Sequence, residues 1–187
     1  MFMATVGSLK SVLLIILVLI GIGLVVAFLR RPIPPPTVPD NLKVPDGQIV
    51  LLKALGKGVQ IYTCKAKTDD PSKFEWAFKA PEADLFNHKG EKIGKHYGGP
   101  TWEANDGSKV VGKVQARADA PDASAIPWLL LSAQSHEGSG KFSTVTYLQR
   151  VNTVGGKAPT QGCDSSHVGT EARVDYTADY YFYGTAR

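Results

Sequence analysis

The sequence predicts an all-β domain, a sandwich or barrel of eight to ten short and mostly antiparallel strands, preceded by one N-terminal transmembrane helix. Three observations carry this. From about Asp40 onward, short segments alternate apolar and polar residues between glycine and proline breaks. No amphipathic pattern of helical length interrupts them. Ahead of them, an uncharged apolar run extends from Ser11 to Leu29, between Lys10 and Arg30.

That run is the first element. At a rise of about 1.5 Å per residue it spans roughly 28 Å as a helix, close to the ~30 Å hydrocarbon core of a bilayer. A buried soluble helix would show a polar face, and this run has none. A cleaved signal would be shorter and end in a small-x-small site. Here the run ends Ala27-Phe28-Leu29-Arg30-Arg31, so a retained anchor over 11–29 is expected, after a short cytoplasmic segment, 1–10. Gly21 and Gly23 would let a neighbouring membrane helix approach closely. Flanking charge does not orient the helix, because Lys10 and the α-amine nearly balance Arg30 and Arg31.

Residues 30–40 follow as a proline-rich stalk. PIPPPTVP (32–39) holds five prolines and favours the extended polyproline conformation, a semi-rigid spacer of ~3.1 Å per residue. The β domain is expected over 41–187. Gln48–Leu55 and Val59–Ala66 read as two strands of a hairpin turned by Gly56-Lys57-Gly58. Phe74–Lys79 alternates aromatic and polar residues. TWEA and KVVGKVQARAD flank Asn105-Asp106-Gly107, a strong signal for a tight hairpin. Ile126–Ala133 is a continuous apolar run of buried-strand length, Ser143–Asn152 alternates again, and Ala172–Tyr183 is β-branched and aromatic.

The net charge of +4 belongs largely to the anchor's flanks. All 17 acidic residues follow Arg31, whereas Lys10, Arg30 and Arg31 precede the domain, leaving it close to neutral. No basic stripe interleaved with aromatics occurs, so no nucleic-acid partner is expected. Cys64 and Cys163 stand far apart with no CxxC, which reads as a disulfide; two buried free thiols are the alternative. A disulfide favours an oxidising compartment. The domain is therefore expected on the periplasmic side of a bacterial cytoplasmic membrane, with the N-terminus inside.

The densest polar and aromatic cluster is His96-Tyr97-Gly98-Gly99-Pro100-Thr101-Trp102-Glu103. Its Gly-Gly-Pro fixes a sharp loop, and His96, Tyr97, Trp102 and Glu103 would form the lip of a ligand pocket. The alternative packs Trp102 in the core and leaves His96 bonded to backbone carbonyls. A second cluster, Gly155 to Asp164 followed by His167, is a glycine-rich loop that a disulfide would tie to the Cys64 strand. Asp164 and His167 could join His96 in space as ligand or metal groups, although no HxH, HExxH or CxxC spacing supports a metal. Phosphate-loop, dinucleotide, nucleophile-elbow and haem-attachment motifs are missing, so no catalytic residue and no cofactor is assigned.

The strings HYGGPTWEANDGSKVVG (96–112), APDASAIPWLLLSA (120–133), LQRVNTVGGKAPTQGCD (148–164) and VDYTADYYFYG (174–184) carry a further signal. With VQIYTC (59–64) and WAFKAP (76–81), they make residues 40–184 similar to the domain-of-unknown-function family numbered 3455, found in bacteria, fungi and plants. The resemblance implies an exported, β-rich domain with a cysteine at each matching place and no established activity. Some fungal relatives bear a malate dehydrogenase label, to which this chain's lack of a dinucleotide fingerprint and of βαβ alternation gives no support.

Three functions are compatible with these features. The first is a non-catalytic accessory subunit of a larger membrane complex, for example in respiratory or photosynthetic electron transfer, whose partners would be the lipid bilayer and other membrane proteins. The second is a module binding a small ligand or cell-envelope carbohydrate through the 96–103 loop. The third is an enzyme using His96, Glu103, Asp164 and His167.

Overall fold

Eight strands carry the alternating pattern: β1 (Gln48–Ala66), β2 (Phe74–Phe86), β3 (Lys92–Tyr97), β4 (Thr101–Ala104), β5 (Lys109–Ala118), β6 (Trp128–Glu137), β7 (Tyr147–Gly155) and β8 (Glu171–Thr185). This computed structural model describes residues 32–186. The expected membrane helix over 11–29, with Gly21 and Gly23, lies outside the described residues. Among those described, no helix is long and apolar enough to cross a membrane.

Each strand pairs antiparallel with its neighbour in sequence, and β8 returns to β1, closing the barrel. The closing register runs from Gln48 opposite Thr185 to Thr63 opposite Glu171. Of the two architectures expected, the sandwich is thereby replaced by the barrel. Closure leaves no open edge, and eight strands enclose just enough width for side chains or one small ligand.

The turn expected at Gly56-Lys57-Gly58 does not form; β1 runs through it as one long strand. The glycines serve close approach instead. A Cβ at Gly56 would lie 2.5 Å from Tyr180 Cε2, and one at Gly58 would lie 2.1 Å from the Glu82 carbonyl oxygen of β2. Glycine is the residue that lets a ring or a second backbone come this near. The strand expected over 74–79 continues to Phe86 through Pro81, which pairs with Gln60 beside a register shift at Ile61/Tyr62. Proline lacks a ladder N–H and is tolerated at such irregularities. The Asn105-Asp106-Gly107 turn is present, with Gly107 N–H donating to Ala104 C=O at 2.9 Å.

Inward side chains fill the end of the barrel nearest the 138–146 loop. Phe182 lies under Phe142 with ring centroids 4.6 Å apart, and Leu85, Leu131 and Leu148 pack around them, fully buried. Cys64 and Cys163 are disulfide-bonded, which ties the 156–170 loop to the end of β1. Gly169 N–H to Cys64 C=O and Cys64 N–H to Thr170 C=O, both 2.9 Å, reinforce that tie.

From Pro34 onward the chain belongs to one compact unit with the barrel. A short 3-10 helix, Asp40–Leu42, packs on the outside of β5 and β6. Leu42 is 0% exposed. Its carbonyl accepts from Gln149 Nε2 at 2.6 Å, Gln149 Oε1 accepts from Tyr183 Oη at 2.5 Å, and Asn41 Nδ2 donates to the Arg117 carbonyl at 2.9 Å. The end of the proline-rich segment is thus a strap on the barrel wall.

Candidate ligand-binding site

The packing that fills one end of the barrel stops short of the other. A cavity of about 480 Å³ remains, and all eight strands contribute to its lining. That volume lies within the range of small-molecule sites. Its floor is aromatic. His96 and Trp102 sit opposite each other on β3 and β4, with rings stacked at 4.3 Å and an interplanar angle of 10°. Tyr180 meets both edge-on, at 5.2 and 5.6 Å. Gly56 on β1 and Gly112 on β5 make room for these rings, since a Cβ at Gly112 would lie 2.9 Å from Trp102 Cζ3.

His96 is 3% exposed, and burial pushes its pKa down to about 3. It is therefore neutral near pH 7. Its Nδ1 lies 2.8 Å from the Thr101 carbonyl, which can only accept, so Nδ1 carries the proton and Nε2 is left as an acceptor. Tyr180 Oη lies 3.1 Å from Tyr176 Oη. Burial raises the pKa of both hydroxyls and keeps them protonated, with the nearby positive charge of Arg150 opposing the shift. Tyr62, also raised by burial, donates to the Gly156 carbonyl at 2.6 Å and fastens the 156–170 loop across the barrel end.

Three cations stand in the lining, Lys79, Arg117 and Arg150, and no carboxylate does. Lys79 and Arg117 are exposed, whereas Arg150 is half-buried. Lys79 is paired with Glu171 at 2.5 Å. Arg150 donates from Nε (3.2 Å) and Nη2 (2.8 Å) to the Pro127 carbonyl and forms no ion pair among the described residues. Gln60 and Trp102, both in the lining and buried, hold side-chain N–H groups without a partner among the described residues. Such donors are rare in protein interiors and are ordinarily met by water or a ligand.

The expected 96–103 cluster divides at the barrel wall. His96 and Trp102 face inward into the cavity lining. Tyr97 and Glu103 face outward, Tyr97 Oη donating to Glu103 Oε2 at 2.8 Å and Lys95 Nζ standing 3.4 Å from Glu103 Oε1. Asp164 and His167 occupy an exposed turn, where His167 Nδ1 lies 2.8 Å from Asp164 Oδ1 and Ser166 donates to the same oxygen. They do not line the cavity with His96. Among the described residues, no group of three or more His, Cys, Asp or Glu is placed to hold a metal.

The sequence pattern passed over the other polar lining residues. Gln60 and Tyr62 fall on the inward parity of β1, shared with buried Ala54 and Cys64. Arg150 shares the inward parity of buried Leu148 on β7. A charged or amide side chain in phase with core positions was the available signal.

No curated protein and no solved structure matches the chain. A family described as protein of unknown function (DUF3455) matches it over residues 45–184, from just ahead of β1 almost to the end of β8. The chain therefore belongs to that family.

Proposed function

We propose that the barrel is a receptor for one small, largely apolar molecule, held at the extracytoplasmic face of a bacterial cytoplasmic membrane. The observation that carries this is the cavity of about 480 Å³ at the unfilled end of the barrel. Protein interiors are otherwise packed to crystal density, so a space of this size with an aromatic floor favours an occupant. Inward His96, Trp102 and Tyr180 offer flat faces to an apolar or planar body. Neutral Nε2 of His96 can accept a hydrogen bond from a ligand hydroxyl or amide.

The apolar run over 11–29, read as an anchor, supports the location, and the disulfide fits an oxidising compartment. The accessory-subunit reading draws on the expected anchor, the proline segment and the lack of a catalytic motif in the sequence. The cavity is what favours binding over it.

The test is calorimetric titration of the full chain, in detergent with detergent blanks, using 2-naphthamide as a neutral planar probe. One saturable site is expected, and Val114→Trp, which fills the cavity from β5, should abolish it while leaving the thermal midpoint nearly unchanged. Heat no different from the blank, or binding unaltered by Val114→Trp, would overturn the proposal.

A further inference from the structure

Arg150 is the one lining cation that is not exposed. It reaches the cavity from the inward face of β7, between a neutral His96 and protonated Tyr62 and Tyr180. Two of its N–H groups are taken by the Pro127 carbonyl. A guanidinium has five; the other three stand near the neutral Tyr180 hydroxyl and have no acidic partner among the described residues. Several basic residues on the barrel wall have acidic partners, among them Lys53 with Asp179, Lys92 with Asp84 and Arg173 with Glu82. Arg150 has none among the described residues, and the cavity lining holds no carboxylate that could supply one.

A half-buried charge without a counter-charge is costly, and an incoming anion relieves that cost. Exposed Arg117, which forms no ion pair among the described residues, adds positive potential beside Arg150, which would draw an anion inward. We infer that the cavity's ligand bears a carboxylate on its apolar body, and that the carboxylate is taken by the Arg150 guanidinium. This rests on the cavity being a binding site. A carboxylate suits the position better than a phosphate monoester, because one half-buried cation neutralises a monoanion and would leave a dianion with net charge in an apolar space. The planar fork of Arg150 also matches a carboxylate edge.

The experiment compares 2-naphthoate with 2-naphthamide, which differ in charge at nearly constant size, on the full chain at neutral pH. The acid should bind about tenfold or more tighter than the amide, the scale of a charge-assisted hydrogen bond. In Arg150→Met that preference should vanish while amide binding persists, and Arg150→Lys, which keeps the charge, should retain part of it. Equal affinities in the unaltered chain, or an undiminished preference in Arg150→Met, overturn the inference while leaving the cavity reading standing. Tighter binding of 2-naphthyl phosphate than of 2-naphthoate overturns the choice of carboxylate. If Arg150→Met does not fold, the acid-to-amide ratio in the unaltered chain and in Arg150→Lys decides. Saturable binding of neither naphthalene probe would remove this inference and the cavity reading together.

Discussion

His96 shows how one buried ring links fold and chemistry. Stacked on Trp102 and bonded through Nδ1 to Thr101, it is denied water, so its proton affinity falls to about pKa 3 in the folded state. The unfolded chain has an ordinary histidine, with a pKa of about 6.5. The unfolded state therefore binds the extra proton between those values, and stability is complete above the unfolded pKa and falls as pH drops below it. Between about pH 7 and pH 5 this costs roughly 1–2 kcal/mol. Urea unfolding at the two pH values should show that loss in the natural chain and a smaller one in His96→Gln. Equal losses in both would show that another group carries the pH dependence. Asp106, held at a pKa of about 2 chiefly by the Ser108 hydroxyl, loses its contribution only in more acidic solution, outside this window.

At the scale of the element, β1 is the informative strand. Gly-Lys-Gly between two apolar runs carries the local chemistry of a turn, and nothing within ten residues says otherwise. The outcome is set from across the sheet. Tyr180 needs the space above Gly56, and the backbone of β2 crosses so near Gly58 that any Cβ meets Glu82 and Ala83. Gly58→Ala should therefore destabilise by about 1–3 kcal/mol or more, since backbone cannot move aside as a side chain can. Exposed Lys57→Ala should stay within about 0.5 kcal/mol. Chemical denaturation of the two variants checks the contrast, and comparable effects would favour a locally flexible turn. Strand β3 and the second half of β2 escaped the sequence reading for a related reason. Lys92–Tyr97 is only six residues with little alternation, and Pro81 interrupts β2 where a register shift absorbs it.

Across the whole molecule, closure of β8 on β1 creates both the packed end and the cavity, and the strap holds the outer wall. Leu42 is sealed against β5 and β6, with its carbonyl bound by Gln149 and Gln149 bound by Tyr183. Leu42→Ala should cost about 2–5 kcal/mol, the range for a buried leucine, read as a lower urea midpoint in the full chain. A cost below about 0.5 kcal/mol would mean that the segment lies on the barrel without stabilising it. By itself the sequence determined the β class, the Asn-Asp-Gly hairpin and membership of the family, because alternation, turn chemistry and motif strings are local or countable; it favoured a Cys64–Cys163 disulfide over free thiols, and the structure decided for the bond. The sequence also drew attention to His96 and Trp102. Only the tertiary structure separated these from Tyr97 and Glu103, set Asp164 and His167 apart from the cavity, and brought Gln60, Arg150 and Tyr180 into its lining. The reason is physical: the alternation of a strand says that neighbours face opposite ways, but which face is inside, and what stands across it, is fixed by pairings between residues more than a hundred positions apart.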